Sequence, residues 1–181
     1  MKSVVVLAMP RSGSSLLSGI LNHLGVHMGP ERHLKKGKHA NKYGCYENQD
    51  LLSMNLNILV KSGGCGINWI EMHDDQKIKK VVRQMQPEIK KTIKRNEKLL
   101  WGWKDASVFY TIPHLHKFLT NPYYVYLKRD VDDVVDSQIR SLSISNFYPT
   151  LKQGVPFFKP KTVLTLLGRW LKLFLKKGNF L

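Results

Sequence analysis

Val4, Val5, Val6 and Leu7 form an unbroken apolar run that ends on the polar stretch Met9 to Ser15. Leu16, Leu17, Ile20, Leu21 and Leu24 then recur at helical spacing up to a stop at Gly25. A short, β-branched run bounded by a loop predicts a strand buried on both faces, and the spacing after it predicts an amphipathic helix. The pattern changes again at Leu51, Leu52, Asn55, Leu56 and Leu59, which predict a second helix. Ile78, Val81, Val82, Met85, Ile89 and Ile93 predict one helix or two meeting near Pro87. Leu99 to Trp103 and the run ending at Leu127 read as strands, and Val131, Val134, Val135, Ile139 and Leu142 as a helix that begins at once. Strands separated by helical stretches need crossover connections. The expected fold class is therefore α/β, a parallel sheet flanked by helices on both faces. A last stripe, Val163, Leu166, Leu167, Trp170, Leu171 and Phe174, predicts a helix with a strong apolar face. It reads better as a core helix than as a membrane-surface one, and as a face through which two copies could pair.

The loop between the first strand and helix carries chemistry. Met9-Pro10-Arg11-Ser12-Gly13-Ser14-Ser15 occupies the place where backbone N–H groups and the positive end of a helix point at an anion. A Walker loop reads G-x-x-x-x-G-K-[ST], with the lysine on the distal phosphates. In the aligned register from Ala8 to Ser15 the first glycine is alanine and the lysine position is Ser14, which argues against ordinary ATP hydrolysis. Arg11 supplies a cation, and Ser12, Ser14 and Ser15 supply hydroxyls, a set suited to a phosphate with a second anionic group beside it.

With these residues in view, the chain resembles the sulfotransferases that use 3′-phosphoadenosine 5′-phosphosulfate (PAPS), of the bacterial or protein-tyrosine sulfotransferase type. Their first nucleotide loop has the form P-[KR]-S-G-[ST]-[ST], as in Pro10 to Ser15. A second segment carries the resemblance independently: Arg129 follows the strand-like run ending at Leu127, and Ser137 lies eight positions on, in the next helix. The resemblance implies a P-loop-like fold, with Arg11, Ser12, Gly13, Ser14 and Ser15 around the 5′-phosphosulfate. It implies that Arg129 and Ser137 grip the 3′-phosphate. It also implies that Lys104, just after Leu99-Leu100-Trp101-Gly102-Trp103, steadies the bridging oxygen, and it requires no metal. The general base stays open. Glu47, within Tyr43 to Asn48, resembles the glutamate of the Gly-aromatic-Glu segment before the second helix of bacterial-type relatives and is slightly favoured. Glu31 and the histidines at 27, 33, 73, 114 and 116 are alternatives, and a helix-dipole role would also explain Glu47.

Composition narrows the remaining choices. A chain of 181 residues with no low-complexity linker or repeat is expected to form a single domain over 1–181. It looks shortened at the C-terminus, because the later strand and nucleotide-covering loop of the family find no match. Lys and Arg total 29 against 13 Asp and Glu, giving a net charge of +16, a field that attracts anions. Much of that charge sits at 32–42, 77–98 and 152–177, where a solvated lysine face explains it as well as a polyanion partner does. Cys45 and Cys65 show no metal-ligand spacing, so free thiols are expected. The apolar run near Met1 is too short to span a membrane and shows no cleavage pattern, which predicts a cytoplasmic protein. The expected activity is sulfonyl transfer from PAPS to a hydroxyl or amine of an unknown acceptor, with no specific nucleic-acid partner. The alternatives are a catalytically silent nucleotide- or polyanion-binding protein, and a P-loop kinase.

Overall fold

The computed structural model describes residues 1–34, 44–64 and 73–141, with side chains as far as residue 137. All of them fall in one compact unit, Met1–Ser143. The apolar stripe between Val163 and Phe174, the pairing of copies through it, and Cys65 lie outside the described residues. Among those residues no helix is long and apolar enough to cross a membrane.

The order is β1 (Lys2–Ala8), α1 (Ser14–His23), a short 3₁₀ turn (Glu31–His33), α2 (Gln49–Lys61), α3 (Asp75–Gln84) and α4 (Gln86–Asn96). There follow β2 (Leu100–Lys104), α5 (Val108–Leu115), β3 (Pro122–Leu127) and α6 (Val131–Ser141). The strands form a parallel sheet in the order β2-β1-β3. Val6 lies opposite Lys104 and Val125, and Ala8 opposite Leu127, so the strands end together and their loops share one edge.

Alternation along β1 decides which side chains meet which layer. Val5 faces a core built from Leu51 and Ile58 of α2, Val82 of α3, Ile89 of α4, Trp101 and Trp103 of β2, and Val108 and Leu115 of α5. Val4 faces a smaller cluster with Val26 and Met28, against which Leu21, Leu34 and Tyr46 pack. Between the tryptophans, Gly102 has a steric reason: a Cβ there would lie 2.3 Å from Met28 Sδ. Truncating either tryptophan, each 1% exposed, would cost about 3–5 kcal/mol.

Helix starts follow the expected chemistry. Asn48, Asp74 and Asp130 accept from backbone N–H groups in the first turns of α2, α3 and α6, and Pro87 sits in the first turn of α4. The lysines of α3 and α4 stand exposed opposite Ile78, Val82, Ile89 and Ile93. Two details differ from the pattern reading. In α1 the stripe Leu16, Ile20 and Leu24 faces outward, while Ser14 and Ser18 are buried, because small side chains let this helix lie close to the sheet. Strand β3 is less covered than its neighbours, with Tyr123, Tyr124 and Tyr126 exposed.

Candidate functional site

Between β1 and α1 the backbone must turn without leaving the sheet edge, and two residues with left-handed φ accomplish this. Arg11 has φ 71° and Gly13, which precedes α1, has φ 95°. For arginine this conformation costs about 1–3 kcal/mol, held here by contacts elsewhere in the site. Ser12 tightens the turn: its Oγ donates to the Met9 carbonyl at 2.6 Å and its N–H donates to the same oxygen at 3.3 Å. The first turn of α1 has no side-chain cap at Gly13, which leaves its N–H groups suited to an anion.

A pocket of about 280 Å³ opens at this edge, lined by Arg11, Gly13, Ser14, Ser15, Glu47, Lys104, Arg129 and Ser137, together with Pro10, Leu16 and Ala106. The candidates from four separate sequence segments therefore meet in one place. Ser12 is the exception, because its hydroxyl is committed inward to Met9. Glu31 lies exposed in the 3₁₀ turn, outside the lining. His33 faces Asp50, His114 faces Asp75, and His116 meets Tyr124, so these rings serve contacts elsewhere. His27 and His73 are also outside the lining.

Lys104 closes β2, and its buried ammonium is the centre of the polar contacts. Nζ donates to Glu47 Oε1 at 2.6 Å, to the Cys45 carbonyl at 3.3 Å and to Ser15 Oγ at 3.5 Å. A charge so far from water needs a partner of opposite sign, and Glu47 provides it. Lys104 thereby links the sheet, the start of α1 and the segment before α2.

The other side of the pocket joins the loop to α6. Arg11 Nε donates to Ser137 Oγ at 3.1 Å, and Arg129 Nη1 donates to the Arg11 carbonyl at 3.2 Å. Arg129 also forms an ion pair with Asp133, one turn into α6, at 3.2 Å. Arg11 thus lies against the serine expected near a 3′-phosphate. Its guanidinium joins the loop before α1 to Ser137 of α6 at the pocket wall.

Behind Lys104 lies a buried polar network that the sequence reading missed. Asp105 Oδ1 accepts from the Ser107 N–H at 2.8 Å and from its hydroxyl at 2.9 Å, and Asp105 Oδ2 accepts from Asn55 Nδ2 at 2.7 Å. The Thr111 hydroxyl donates to Asn55 Oδ1. Burial pushes the Asp105 carboxyl above the usual carboxylate range, although the hydrogen bonds from Ser107 and Asn55 pull the other way. One signal pointed here: Asn55 falls on the buried face of α2 among Leu51, Met54, Ile58 and Leu59. A polar residue at that position needs partners.

Comparison with known proteins identifies a family. The family described as the Sulfotransferase family matches residues 3–159, a span that contains every pocket-lining residue. No curated protein and no solved structure matches the chain.

Proposed function

Because the chain belongs to the sulfotransferase family, we propose that it moves the sulfonyl group of PAPS to a hydroxyl or amine acceptor, leaving 3′-phosphoadenosine 5′-phosphate. The observation that carries this reading is the convergence of Arg11, Lys104 and Arg129 on one pocket at the carboxyl ends of parallel strands. The donor set fits the co-substrate. Cations and hydroxyls surround two regions, one at the start of α1 and one at Ser137 and Arg129, and PAPS carries anionic groups at two ends.

In this mechanism the N–H groups and hydroxyls of Ser14 and Ser15, with Arg11, hold the 5′-phosphosulfate. Arg129 and Ser137 hold the 3′-phosphate. Glu47 takes the acceptor proton while the acceptor oxygen or nitrogen attacks sulfur from the side opposite the bridging oxygen. As that bond forms, the bond from sulfur to the bridging oxygen breaks, and its electron pair stays on the phosphate. Lys104 stabilises the growing negative charge there. The contact of 2.6 Å between Lys104 and Glu47 suits an exchange of partners: as the ammonium turns to the bridging oxygen, the carboxylate is released for the acceptor. A cytoplasmic setting, and pairing of two copies through the stripe from Val163 to Phe174, belong to the same reading and rest on the sequence alone.

The test is nucleotide selectivity joined to transfer. The 3′-phosphorylated product nucleotide should raise the melting temperature well above the shift from AMP or ATP, since saturation at a hundredfold excess stabilises by about 2.7 kcal/mol. Labelled PAPS should pass sulfonyl to a member of a panel of phenols, sugars and amines, and transfer should survive EDTA, since among the described residues the pocket is lined by cations and a single carboxylate, Glu47. Equal shifts with ATP, or transfer lost in EDTA and restored by Mg²⁺, would overturn this mechanism. Selective binding without transfer would leave a silent nucleotide-binding protein.

A further inference from the structure

Tyr46 stands between the two groups of its segment that receive the Lys104 ammonium, the Cys45 carbonyl at 3.3 Å and the Glu47 carboxylate at 2.6 Å. For one nitrogen to be reached by the backbone of residue 45 and the side chain of residue 47, the chain must turn sharply between them. Tyr46 makes that turn with φ 54°. The left-handed region is unfavourable for a bulky residue, so contacts outside the segment must hold it.

The ring supplies the hold. A Cβ added at Gly19 of α1 would lie 3.0 Å from Tyr46 Cε2 and 3.3 Å from Cζ. The ring therefore occupies space that any other residue at position 19 would claim. It also packs against the cluster of Val4, Val26 and Met28. On the far side of Glu47, Asn48 accepts from the Asp50 N–H at 3.0 Å and donates to Asn96 Oδ1 at 2.8 Å. Glu47 is fixed from both neighbours.

We propose that Tyr46 is a positioning residue for Glu47, its ring seated in the notch at Gly19 so that the carboxylate is aimed into the pocket. The helix that provides the notch also carries Ser14 and Ser15. One rigid element then sets the distance between the anion-binding end and the proton acceptor. The roles of Glu47 and Lys104 here rest on the sulfonyl-transfer reading above.

The experiment combines kinetics with a readout that needs no turnover. Gly19→Ala, which displaces the ring, and Tyr46→Ala, which removes it, should each lower kcat by up to about a hundredfold, the scale of a small misplacement of a reacting group. The Kd for 3′-phosphoadenosine 5′-phosphate should stay within about twofold of wild type, and Tyr46→Phe, which keeps the ring, should recover most of the turnover lost in Tyr46→Ala. Nitrogen-15 NMR of labelled lysine should show a slowly exchanging Lys104 ammonium in wild type and Tyr46→Phe that is lost in Tyr46→Ala. Wild-type turnover in Tyr46→Ala, parallel loss of turnover and nucleotide affinity, or an unchanged Lys104 signal would each overturn the proposal. If wild type transfers nothing from PAPS, the sulfonyl-transfer reading falls instead, and the NMR comparison alone decides whether Tyr46 positions the pair.

Discussion

Lys104 Nζ and Glu47 Oε1 meet 2.6 Å apart with only 6% and 9% of their side chains exposed, so each is the other's substitute for water. Removing one partner leaves the other buried without this counter-ion. Lys104→Met and Glu47→Leu should each destabilise the fold by about 3–5 kcal/mol, whereas the double replacement should recover most of that loss. Turnover should vanish in all of these variants. Urea denaturation checks the first part and labelled PAPS the second. A double variant as unstable as the sum of the singles would show that the two charges do not depend on one another.

Arg129 is shared between a proposed phosphate and Asp133. Arg129→Ala should weaken binding of 3′-phosphoadenosine 5′-phosphate by about 1.5–3 kcal/mol, the usual contribution of a hydrogen bond to a charged group. Asp133→Ala acts in the opposite direction. It removes a competing acceptor from an exposed ion pair worth about 0–1 kcal/mol, so binding should tighten by up to about fivefold. Calorimetry distinguishes the two, and weaker binding in Asp133→Ala would mean that the pair orients Arg129 rather than competing for it.

Asp105 gives a pH dependence of definite sign. Its carboxyl is raised above the ordinary value of 3.8, chiefly by burial, so between that value and the folded one the folded chain holds more protons than the unfolded chain. Its contribution to stability is then fully present at low pH and is lost as pH rises from 3.8 through the folded pKa. Urea midpoints for wild type and Asp105→Asn, measured in steps from about pH 4 to 7, should diverge with the wild type falling relative to the variant. A constant difference across that range would remove Asp105 from the account.

Much of the fold was legible because its signals are local. The apolar run at Val4 to Leu7, the helical spacing of Ile78 to Ile93 and the aspartate before α6 each fix an element from nearby residues. The turn from Pro10 to Ser15 was legible for the same reason, since the strand before it and the helix after it are each fixed by nearby residues. Contacts across the fold were less accessible. Ser12 reads as a pocket hydroxyl but serves the turn, and Leu16 and Ile20 read as a core stripe but face outward, because the position of α1 over the sheet is set by small residues at 14 and 18. Asp105 and Asn55 lie fifty residues apart in sequence, and their pairing appears only once the fold brings α2 beside the residue that follows β2.

The parallel register has a consequence for the order of events during synthesis. Ser3 pairs with Trp101 on one side and Pro122 on the other, so among the described residues β1 is made well before either of the strands it pairs with. Closing such long loops is slow, and the waiting strand is apolar. While the ribosome is still translating α2 to α4, Val4 to Val6 lack the strands they pair with and the pocket is incomplete, since Lys104, Arg129 and Ser137 are not yet synthesised. Nascent chains halted before β3 should therefore aggregate or engage chaperones, and, on the proposed PAPS-binding reading, should retain no nucleotide until the sheet closes.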